Sequence, residues 1–112
     1  MNKMKKICIP TNDRKTIAHR TGRAKEFVFY EIKNKKILNT FFVQNPHREH
    51  RHEHEHDESE HHHNEIIEIL KDVDLFVVKA VGKFLKKDLD EAKVNYVRTD
   101  KENLEEILES FI

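Results

Sequence analysis

The stretch NEIIEILKDVDLFVV, residues 64–78, decides the fold. Ile66, Ile67, Leu70 and Val73 recur at helical spacing, with Glu65, Glu68 and Lys71 on the opposite side. The period then changes. Leu75 to Val78, LFVV, is a continuous apolar run, the pattern of a central strand covered on both faces. A helix that leads directly into such a strand is a unit of an α/β domain.

To the C-terminal side, Phe84, Leu85, Leu89 and Ala92 predict a second helix, and Val94 to Val97 a short fifth strand. Thr99 and Glu102 have capping-box spacing for a last helix, which turns Leu104, Ile107, Leu108 and Phe111 inward. To the N-terminal side, Ile37 to Val43 and Phe27 to Ile32 are β-branched and aromatic, two strands joined by a turn at Asn34–Lys35. Lys6 to Ile9 is a first strand stopped by Pro10, and Pro10 to Lys15 is rich in turn formers. The order β-β-β-α-β-α-β-α predicts a mixed sheet with helices packed on it. No repeat or linker divides the chain, so residues 1–112 form one domain, a usual size for one core.

Charge excludes some functions. Lys and Arg number 21, Asp and Glu 21, so the formal net charge is zero. A general nucleic-acid binder needs an excess of cations to neutralise phosphates. The start, MNKMKKICIP, is basic without the apolar segment of a signal peptide, and no apolar run approaches a membrane span. A cytoplasmic, membrane-free protein is expected. Cys8 is the one cysteine, so no internal disulfide is implied. Its alternation with Ile7 and Ile9 in a central strand gives it the role of a small buried apolar side chain.

The segment HREHRHEHEHDESEHHH, residues 47–63, holds eight of the nine histidines. Neutral imidazole is the commonest metal ligand. His50, His52, His54 and His56 project to one side if extended, and form i,i+4 pairs if helical. His47, His61, His62 and His63 extend the set, and Glu53 and Glu55 can ligate or orient imidazoles. Nitrogen and oxygen donors favour Zn, Ni, Cu(II) or Co. A solvated polar loop that binds metal adventitiously is the plain alternative.

The opening KICIPTND, the His19-Arg20-Thr21-Gly22-Arg23-Ala24 element before an aromatic strand, and NPH after the third strand resemble the dinitrogenase iron–molybdenum cofactor-binding family, the NifX/NafY-like accessory domain. VGKFLKKDLDEAKVNYV, residues 81–97, is similar to that family's glycine, short helix and strand. The resemblance implies an RNase H-like motif: three layers, α/β/α, around a five-stranded mixed sheet in order 3-2-1-4-5 with strand 2 antiparallel. It also implies binding of an iron–sulfur or iron–molybdenum cluster, with His19, Gly22 and Arg23 as contacts. The family's motif is usually His-Phe-Gly-Arg-Ala. Here either His19 is displaced by one inserted residue or Arg20 stands in the histidine's register, and Thr21 replaces the aromatic. The family's glycines after the fourth strand are thinned to Ala80-Val81-Gly82.

Enzymatic chemistry is not expected. Asp13 follows the first strand, but the first and fourth strands contain no carboxylates to converge on a divalent metal. The chain also has no phosphate-binding glycine loop and no nucleophile elbow. The leading expectation is a metallocluster-binding or carrier protein that exchanges cargo with donor and acceptor proteins. The alternative is a metal-ion buffer or chaperone for Zn, Ni, Cu or Co that acts through residues 47–63 alone.

Overall fold

The structure, a computed structural model, describes residues 4–45 and 66–111. The strands are β1 (Lys5–Thr11), β2 (Glu26–Lys33), β3 (Lys36–Gln44), β4 (Leu75–Val78) and β5 (Tyr96–Arg98). The helices are α1 (described over 66–69), α2 (Lys83–Glu91) and α3 (Leu104–Phe111), with a 3-10 turn at Thr21–Arg23.

The sheet order is β3-β2-β1-β4-β5. β2 runs antiparallel to both neighbours, while β4 and β5 run parallel to β1. Strand alternation divides the core into two faces. Ile7, Ile9, Val28, Tyr30, Ile32 and Val77 pack with Leu104, Ile107 and Leu108 of α3. Cys8, Phe27, Phe29, Phe76 and Val78 pack with Ile66 of α1, the adjoining Leu70, and Leu85 and Leu89 of α2. The central sheet is therefore covered on both sides, as LFVV implied, and the architecture is the RNase H-like three-layer fold.

Local details correct the sequence reading. Pro10 does not stop β1, which continues to Thr11 with Pro10 opposite Phe27. The Lys6 N–H and C=O face Asp74, so by the alternation of strand backbone the N–H that Pro10 lacks would lie on the same side. The last β4 partner there is Cys8, so no pairing with β4 is lost. Thr99 and Glu102 do not form a capping box. The Thr99 hydroxyl accepts from the Lys101 N–H at 3.2 Å, whereas Asn103 Oδ1 accepts the Glu105 N–H at 2.9 Å and caps α3. Phe84 is 61% exposed rather than part of the core, and Ala92 is an exposed residue at the end of α2.

Two lysines occupy conformations that favour glycine. Asn34 and Lys35 have φ of 55° and 63°, giving a two-residue hairpin with Lys33 paired to Lys36. Lys93 has φ of 61°. Beside it, the Val94 N–H donates to the Leu89 carbonyl and the Lys93 N–H to the Asp90 carbonyl, a Schellman closure of α2. Glycine removes the Cβ penalty of left-handed backbone. Lys35→Gly and Lys93→Gly are each expected to raise stability by about 1 kcal/mol. Urea denaturation checks this as a higher midpoint at unchanged slope.

Candidate functional site

The chain leaves β1 toward β2 on one side of the sheet and leaves β4 toward β5 on the other. Crevices at such switch points, outside the carboxyl ends of strands, are the usual ligand sites of open α/β sheets. A cleft of about 490 Å³ lies between the two loops here. Arg20, Thr21, Gly22 and Arg23 form one wall. Ala80 to Gly82, with Phe84 and Leu85 from the first turn of α2, form the other.

Hydrogen bonds hold the first wall in place. The loop after β1 is turned by Asp13, whose Oδ1 accepts the N–H groups of Lys15 and Thr16 at 2.9 and 2.8 Å. Those bonds hold the Asp13 carboxyl below the usual carboxylate range. The Ala18 N–H donates to the Pro10 carbonyl, and the Ile17 N–H to the Glu102 carbonyl. Thr21 then ties the two walls together. It is fully buried, and its N–H and hydroxyl both donate to the Ala80 carbonyl, at 3.2 and 2.9 Å. A phenylalanine there could not make the hydroxyl bond, so the threonine has a structural role of its own. Asn45, at the end of β3 and fully buried, supports the loop from behind. Its Nδ2 donates to the carbonyls of Ala24 at 2.8 Å and Gly22 at 3.3 Å, and its N–H donates to the Lys25 carbonyl.

Arg20 and Arg23 are exposed along the cleft, and among its described lining residues none is acidic, a charge pattern that suits anions. α2 begins at Gly82 with no side-chain cap and no acid in its first turn. The positive end of its dipole and its first N–H groups therefore meet no side-chain cap among the described residues. Phe84 adds an exposed aromatic surface, with the Lys83 ammonium 5.7 Å from its ring centroid.

The structure brings Gly22 and Arg23 into the cleft and places His19 outside its lining. The His19 side chain is 74% exposed, with Nε2 3.9 Å from a carboxylate oxygen of Glu102. Lys79 donates to that same carboxylate at 2.6 Å and holds the Glu102 carboxyl below its ordinary range. Arg20 is the neighbour that reaches the cleft. Cys8 is fully buried in the sheet, where desolvation pushes its thiol pKa well up, which suits packing and not metal binding. His47, His50, His52, His54, His56, His61, His62 and His63 lie outside the described residues. Among the described residues, no group of three or more His, Cys, Asp or Glu could hold a metal ion.

Strand order and layers define a small α/β domain of the RNase H-like type. The profile of the dinitrogenase iron–molybdenum cofactor family matches residues 3–112, and the chain belongs to that family. No curated protein matches it. Among solved structures, it is similar to PH0822, with a TM-score of 0.72 and 16% identity over 95% of this chain and 88% of the other. It is also similar to a candidate dinitrogenase of Methanocaldococcus jannaschii, with a TM-score of 0.65 and 14% identity over 95% and 86%. A candidate NifB protein of Thermotoga gives a TM-score of 0.65 and 19% identity over 96% and 86%. These likenesses establish the shared fold. Among the described residues, no helix is long and apolar enough to cross a membrane.

Proposed function

We propose that this protein binds and carries a metallocluster of the iron–sulfur or iron–molybdenum type as cargo, without catalysing a reaction. The observation that carries the reading is the cleft at the β1/β4 switch point, with two arginines and an uncapped helix start in a chain of the iron–molybdenum cofactor family. An anionic cluster, or an organic acid attached to it, fits this charge. The described lining has no thiolate or imidazole. It holds cargo by charge and hydrogen bonds, which suits transfer between a donor and an acceptor protein better than permanent ligation does. His19, outside the lining, and the histidines of residues 47–63 are the nearest ligands in the sequence for an iron atom of the cargo. A cytoplasmic setting fits such exchange.

The test is anaerobic purification of the untagged chain, then reconstitution with iron and sulfide. Stoichiometric iron and sulfide with broad visible absorption is the expected result. A second reading has its own observation, the concentration of eight histidines in residues 47–63. It makes the protein an ion buffer or chaperone for Zn, Ni, Cu or Co. Zinc or nickel binding without iron–sulfur loading, abolished by deleting 47–63, would replace the carrier reading with this one.

A further inference from the structure

β3 forms one edge of the sheet, and among the described residues no strand pairs with its outer side. The Asn45 N–H donates to the Lys25 carbonyl, so Asn45, and by strand alternation Val43 and Phe41, turn their N–H and C=O groups toward β2. The contacts of Lys6 with Asp74 give the same assignment through the pairs Ile7–Tyr30 and Phe29–Phe41. The main-chain groups of Thr40, Phe42 and Gln44 therefore point away from the sheet. Such a row is a template for another strand, and proteins blunt long edges with charges, proline or bulges. β3 has lysine at its start and a register shift opposite Glu31 and Ile32. From Asn39 to Gln44 it carries no charge, proline or shift. Of the large apolar side chains exposed among the described residues, Ile37, Leu38 and Phe41 share this strand, at 43%, 56% and 39%. The sequence that follows is poorly suited to cover them, since residues 46–65 hold Pro46 and otherwise only polar and charged residues.

We infer that β3 pairs antiparallel with β3 of a second copy of this chain, about a two-fold axis at Phe41, and so joins two sheets into one. With Phe41 opposite its counterpart, Thr40 of each copy faces Phe42 of the other, and their outward N–H and C=O groups meet as hydrogen-bonded pairs. Each Phe41 ring already stacks on Phe29 at 5.2 Å between centroids, so the axis gathers four aromatic rings on one face of the joined sheet. Charge favours a second copy over a foreign strand. Residues 37–44 carry no charge that would select a charged partner, and the antiparallel direction keeps Lys36 apart from its counterpart. The zero net charge of the chain sets up no repulsion between copies. None of the residues that line the cleft lies on β3, so the pairing is independent of the carrier reading.

Sedimentation equilibrium of the full chain tests this, with a chelator present so that metal cannot bridge the histidines of separate copies. The expected mass is twice the 13.5 kDa of the chain, falling toward one chain on dilution. Phe41→Lys and Phe41→Glu each set like charges across the axis, and each should weaken the dimer at least tenfold. Mixed in equal amounts, the two variants set opposite charges there and should recover the dimer, which a loss of fold would not allow. A single-chain mass for the unaltered protein at every concentration would overturn the inference and leave the edge to a strand of another protein or to none. Phe41 variants that dimerise like the unaltered chain, or that stay monomeric when mixed, would overturn it too. So would a dimer that is lost on deleting residues 47–63 and kept by the Phe41 variants, since that segment and not β3 would then join the copies.

Discussion

Phe76→Ala is expected to lower the free energy of unfolding by about 3–5 kcal/mol. Phe76 is fully buried in β4, with its ring edge-on to Phe27 at 6.1 Å between centroids. It lies in the cluster that joins the sheet to Ile66, Leu70, Leu85 and Leu89. Truncation removes the apolar transfer energy and leaves a cavity beneath two helices. Against the roughly 5–15 kcal/mol of an ordinary domain, this is a large share. The control is Phe84→Ala, eight residues along. Phe84 is 61% exposed, and its loss should change stability by no more than about 0.5 kcal/mol. Equal losses for the two in urea denaturation would show that α2 packs by a different face from the one described.

Replacing Arg20 and Arg23 together with serine is expected to weaken cluster binding by a hundredfold or more. A hydrogen bond to a charged group contributes roughly 1.5–3 kcal/mol, and about 1.4 kcal/mol is a tenfold change. Both residues are exposed at the cleft, and the melting temperature of the cargo-free variant is measured beside binding so that a loss of fold is told apart from a loss of affinity. Lysine at both positions keeps the charge and loses the planar fork, so an intermediate affinity is expected. Iron retained after desalting reads all three proteins. Full retention by the serine variant would remove the cleft as the cargo site and direct attention to residues 47–63.

Most of the scaffold was legible in the sequence because hydrophobic period reports burial directly. Leu75 to Val78 gave a doubly covered strand, and Leu104, Ile107, Leu108 and Phe111 gave the inward face of α3. Errors arose where side-chain type and position diverge. Phe84 continues a helical pattern, yet it sits in the first turn of α2, where the neighbouring surface is a cleft and not the sheet. Pro10 is a strand breaker only where its missing N–H is needed. The capping signal at Thr99 was a reading of spacing alone, and Asn103 was the cap one turn later. The site was less legible than the fold. Gly22 and Arg23 came from a family resemblance, whereas Thr21 and Asn45 act through carbonyls that are remote in sequence, which no local pattern encodes.

The seam between β1 and β4 pairs at Ile7 with Leu75 and at Cys8 with Phe76, whereas β1 and β2 pair along seven positions. The cleft opens at the end of this short seam, where Thr21 and Ala80 join the loops. Partial opening of a protein follows its weakest cooperative boundary, and amide hydrogen exchange detects it. The β1–β4 seam separates a hairpin sheet, β1 to β3, from a parallel half, β4 and β5. A cargo that spans the cleft would therefore act as a clasp on the two halves. Its arrival should slow exchange along β4 more than along β2, and its departure should return the halves to their looser association.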